Sequence, residues 1–87
     1  MHIDKAKKRI AKRIKMGFQG YPVLSIAYQG TAPGLNDSVL LCLQLEENAD
    51  QQEQRFSSKG DAREDESIQS TIVKMIERCQ VKTVVSH

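Results

Sequence analysis

The sequence predicts an α+β fold: a two-layer sandwich in the order α-β-β-β-α with a short terminal strand, both helices on one face of an antiparallel sheet. Three observations predict it. Apolar residues recur at helical spacing near both ends of the chain, first Ile3, Ala6, Ile10 and Ile14, later Ile68, Ile72, Met75, Ile76 and Cys79. Two runs between them alternate with a period of two residues. Clusters of glycine, proline and Asx residues separate the runs.

The first helix is expected over about residues 3 to 16. Asp4 suits its positive end, the basic residues that follow suit its negative end, and Gly17, Gly20 and Pro22 stop it. The first strand is Tyr21–Tyr28, with Leu24, Ile26 and Tyr28 on one face and Val23, Ser25 and Ala27 on the other. A connecting loop follows over Gly30–Gly34 and Asn36-Asp37. The second strand, Ser38–Leu45, places Val39, Leu41, Leu43 and Leu45 on one face and leaves Leu40, Cys42 and Gln44 on the other.

Glu46–Gln52 reads as a solvated hairpin loop, and Glu53–Ser58 as a third strand anchored by Phe56. Lys59-Gly60-Asp61 turns the chain into an acidic segment, where Asp61 or Asp65 caps the second helix. Val81–Val85 is short and β-branched, a terminal strand.

At 87 residues the chain is one domain, residues 1–87, and buries roughly 60 to 65% of the surface its unfolded form exposes. It has no tryptophan and only Phe18, Tyr21, Tyr28 and Phe56 as aromatics, so the core is aliphatic. Most of these aromatics are assigned to that core; Tyr21, Tyr28 and Phe56, if exposed on the sheet, would instead stack on bases. Cys42 and Cys79 fit no metal-ligand or redox spacing and read as buried hydrophobes. The basic N-terminal stretch lacks the apolar run of a secretory signal, and no segment reaches membrane-spanning length. A cytoplasmic protein with no membrane partner is expected.

Charge is where the chain departs from an ordinary small domain. Lys5, Lys7, Lys8, Arg9, Lys12, Arg13 and Lys15 oppose only Asp4, giving a +6 segment joined to a −4 remainder. Set opposite the isoleucine stripe, these cations suit an anionic partner, most specifically nucleic-acid phosphate, since each neutralised phosphate adds affinity through counterion release. Lys7 lies nearer the margin and contributes less. An alternative is a protein-interaction or homodimeric accessory module, using the apolar outer sheet face or an acidic protein partner. The basic helix also has an intramolecular counterpart available in Asp61, Glu64, Asp65 and Glu66. That acidic cluster lacks the alternating ligands and glycine turn of a calcium loop and reads as a solvated helix start, with no metal. His2 and His87 have no nucleophile partner, and no cofactor motif is present, so a non-enzymatic role is expected.

The element order, with Tyr21-Pro22 before the first strand and Gly30–Gly34 in the first hairpin, resembles the double-stranded RNA-binding domain. The resemblance implies RNA contact through lysines at the start of the second helix. Here that region reads Arg63-Glu64-Asp65-Glu66, and Gly34, Leu35 and Asn36 stand where that family carries a histidine. Acids at that helix start repel phosphate, so binding is expected through the first helix instead.

Overall fold

A computed structural model describes residues 2–30 and 35–87. The order is α1 (Ile3–Lys15), β1 (Val23–Gln29), β2 (Ser38–Gln44), β3 (Gln52–Ser57), a 3-10 turn at Ala62–Glu64, α2 (Glu66–Arg78) and β4 (Thr83–Ser86). Most of the predicted first loop, residues 31–34, lies outside the described residues. The α+β order is as expected, with one correction. The sheet is mixed, in the order β3-β2-β1-β4, because β4 runs parallel to β1 while the other pairs are antiparallel. The cause is the crossover: α2 carries the chain back along the sheet, so the next strand runs in the direction of β3 and therefore of β1.

Strand register aligns the inward residues. Leu24 lies opposite Leu43, Ile26 opposite Leu41 and Tyr28 opposite Val39, and Val84 lies beside Leu24. Ala6 and Ile10 of α1 and Ile68, Ile72, Val73 and Ile76 of α2 close over them, with Ala62 and Val81 completing one aliphatic core. Gln69 is buried in it but satisfied, its Nε2 donating to Tyr28 Oη at 2.9 Å and to the Ala62 carbonyl at 3.1 Å. Phe56 packs inward from β3, but Gln54 and Gln52 share its face, which makes β3 the polar edge.

Two expectations about side chains are corrected. Leu45 falls just past β2 and is exposed, because the chain already turns toward Glu46 there. Neither cysteine is fully buried. Cys42 alternates with the inward Leu41 and Leu43 and so faces outward, and Cys79 is the C-cap of α2.

The connection from α1 to β1 is tied down. Gly17 (φ 70°) takes the left-handed position after the helix, its N–H donating to the Ile14 carbonyl. Thr83 Oγ1 then accepts from the Gln19 N–H at 2.8 Å and donates to the Gly20 carbonyl at 2.7 Å. Thr83 is buried, so Thr83→Val leaves two backbone groups without their partner and is expected to cost about 1–3 kcal/mol in urea unfolding, whereas Thr83→Ser retains most of it. An unchanged midpoint for the valine variant contradicts this account of the linker.

Asp65 caps α2, accepting from the Ile68 N–H at 3.1 Å, and Asp61 caps the preceding turn by accepting from the Arg63 N–H. Those backbone N–H groups are the main cause holding both carboxyls below the usual aspartate range. A depressed folded pKa stabilises above the unfolded value, near 4, and the contribution disappears as pH falls through the lower folded value. Asp65→Asn still caps but does not titrate. Below about pH 4 its urea midpoint is therefore expected to fall less steeply than that of the wild type; parallel curves contradict the assignment.

Candidate functional site

At 100° per residue, the seven bases of α1 divide into two groups. Lys5, Lys8, Lys12 and Lys15, at spacings of three, four and three, share one face opposite the buried Ala6 and Ile10. All four are exposed, with no hydrogen-bond or ion-pair partner among the described residues. They form a row about 15 Å long along the helix axis.

The other three point toward the body. Lys7 Nζ meets Glu64 Oε1 at 2.6 Å, and this hydrogen bond raises the lysine above its ordinary pKa. Arg9 reaches Glu77 of α2 at 3.1 Å. The Arg13 guanidinium donates to the Val81 carbonyl, while its Nε is buried with no hydrogen-bond partner among the described residues. Val81 is presented there by the end of α2, where Gln80 (φ 52°) takes the left-handed position and the Val81 N–H returns to the Ile76 carbonyl. Such exposed ion pairs add little stability. They do engage Lys7, Arg9 and Arg13 with the body and leave the four lysines as the open face of α1.

The lysine row works against its own helix. Like charges at i,i+3 and i,i+4 disfavour an isolated helix by about 0.2–0.5 kcal/mol per pair, and the row contains three such neighbours. Burial of Ala6 and Ile10 supplies what keeps the helix in place. A line of anions along the row would relieve the repulsion.

Two other surfaces stand beside it. Arg9, Lys12, Arg13 and Met16 of α1 and Val73, Ile76 and Glu77 of α2 line a groove of about 470 Å³. The outer sheet face presents Val23, Ser25, Ala27, Leu40, Cys42 and Val85, all half-buried. Burial pushes the Cys42 thiol pKa up, which keeps it protonated and a poor nucleophile.

The 3-4-3 spacing sets the four lysines on one helical face, but the sequence reading took all seven bases as one contact surface, with only Lys7 set apart. The engagement of Arg9 and Arg13 was not readable, because their partners lie 68 residues away in sequence. Sequence reasoning also passed over Phe18, counting it only among the few aromatics. It is 67% exposed, whereas Tyr28 and Phe56 pack against the core. Among the described residues no group of three or more His, Cys, Asp or Glu side chains is placed to hold a metal ion, and no helix is long and apolar enough to cross a membrane. Comparison with protein-family models, curated proteins and solved structures finds no match.

Proposed function

We propose that this protein is a non-enzymatic nucleic-acid-binding protein whose first helix lies along a phosphate backbone. The observation that carries the reading is the row Lys5, Lys8, Lys12 and Lys15: four ammonium groups without a partner among the described residues, on one face of a helix anchored by its opposite face. Lys7, Arg9 and Arg13 are engaged with the body and contribute through the field they add. Phosphate contact by itself reads no base sequence, so the affinity is largely independent of sequence.

The test is fluorescence anisotropy of labelled DNA and RNA over a salt series. Four neutralised phosphates give a slope of log affinity against log salt near −2.8 on a single strand, or about −3.6 on B-form duplex. Between 50 and 200 mM salt the single-strand affinity then falls about 50-fold. Absence of binding at low salt refutes the reading.

A second reading rests on a separate observation, the half-buried outer sheet face with Leu40 and Cys42 at its middle. A second copy of the chain covering that face would make a homodimer. Sedimentation as a monomer at every concentration excludes it.

A further inference from the structure

Phe18 is the most exposed large apolar side chain among the described residues. It is also held in place. Gly17 precedes it in the left-handed conformation, the next residue's N–H is bonded to Thr83 Oγ1, and its ring meets that of Tyr21 edge to face, with centroids 5.6 Å apart and planes at 76°. The core does not use it, since the buried cluster and the residues packed against it are drawn from the helices, the strands and the turns beside α2. It stands just past the end of the helix that carries the lysine row, three residues after Lys15, so their Cα atoms lie within about 11 Å.

A row of cations with an open, fixed aromatic ring near its end is the pairing that single-stranded nucleic acid calls for. Cations track the backbone, and an aromatic ring offers a surface on which an unpaired base stacks. In a duplex the base faces are already covered by their neighbours, so the ring has nothing to stack on.

We infer that the preferred ligand is a single strand, with Lys5, Lys8, Lys12 and Lys15 along its phosphates and one base stacked on Phe18, supported by Tyr21. This inference rests on the phosphate-binding reading of α1. Stacking of this kind accepts any base, so it adds affinity and strand preference without sequence readout.

The experiment compares three labelled probes of about 12 nucleotides, within the range of single-strand sites: oligothymidylate, an abasic strand with the same phosphates, and a duplex. The full chain is expected to bind oligothymidylate about 5- to 150-fold more tightly than the abasic strand. Phe18→Ala is expected to erase that difference while leaving abasic affinity and its salt slope unchanged. Phe18→Trp keeps the preference, and its indole fluorescence, the only one in a chain without tryptophan, is quenched by oligothymidylate and not by the abasic strand.

Equal affinity for oligothymidylate and the abasic strand overturns the stacking inference and leaves phosphate binding standing. Loss of abasic binding in Phe18→Ala overturns it too, because the ring would then be acting through the helix. No binding of any probe at low salt removes the phosphate reading itself.

Discussion

Changing Lys5, Lys8, Lys12 and Lys15 together to glutamate is expected to abolish nucleic-acid binding at every salt concentration while the domain stays folded. The four side chains are exposed and bonded to nothing among the described residues, so their removal takes no contact from the folded state. Glutamates at the last two positions oppose the helix dipole, an effect of a few tenths of a kcal/mol each. The corresponding glutamine variant removes the repulsion along the row but also two cations that suit the negative helix end, effects of similar size, so its thermal midpoint should stay within a few degrees of the wild type.

Arg13 should behave in the opposite way. Arg13→Met takes the guanidinium from the Val81 carbonyl and is expected to lower stability, by about 1–3 kcal/mol if that carbonyl is left without a partner, while the salt slope of binding stays the same. Wild-type affinity in the four-glutamate protein, or a slope that falls in Arg13→Met and not in the glutamine variant, contradicts the division of the seven bases.

Leu24→Ala is expected to have the largest effect on stability. Leu24 is 0% exposed on β1, one of the two inner strands of the sheet, with Leu43 opposite it and Val84 beside it. Truncating a leucine in such a place costs about 2–5 kcal/mol through lost transfer energy and the cavity left behind. A chain of this length has a total stability of about 4–13 kcal/mol, so the variant loses a large share of it. The expected fall in thermal midpoint is roughly 10–30 °C. Ser25→Ala, one position along on the outer face, should shift it by only a few degrees at most. A small shift for Leu24→Ala would place the core elsewhere than between this sheet and the two helices.

Much of this was legible in the chain. The stripes Ile3-Ala6-Ile10-Ile14 and Ile68-Ile72-Ile76 and the alternation of Leu24-Ile26 and Val39-Leu41-Leu43 place the helices and inner strands, because period reports burial on one face. The parallel pairing of β4 was not legible. Thr83 to Ser86 has strand composition either way, and its direction follows from where α2 returns the chain. Leu45 continues the alternation of β2 in sequence yet stands outside it, since alternation carries no mark of where pairing ends.

The candidate site was legible as a set and not in its division. Helical spacing separates Lys5, Lys8, Lys12 and Lys15 from the rest, and the acidic cluster holding Glu64 stood out as a counterpart, but which base meets it, and that Arg9 meets Glu77, depends on tertiary packing that local sequence does not encode. Phe18 escaped notice for a related reason. In a chain this poor in aromatics most are expected in the core, and only the fold reveals that the core is complete without this one.

The most direct test of the central claim is a titration of the isotopically labelled protein with oligothymidylate at low salt, followed residue by residue in amide and lysine side-chain resonances by NMR. The lysine-row account predicts that the shifts concentrate at Lys5, Lys8, Lys12, Lys15 and Phe18 and disappear on added salt. Shifts centred on Leu40, Cys42 and Val85 of the outer sheet face, or no shifts at all, contradict it.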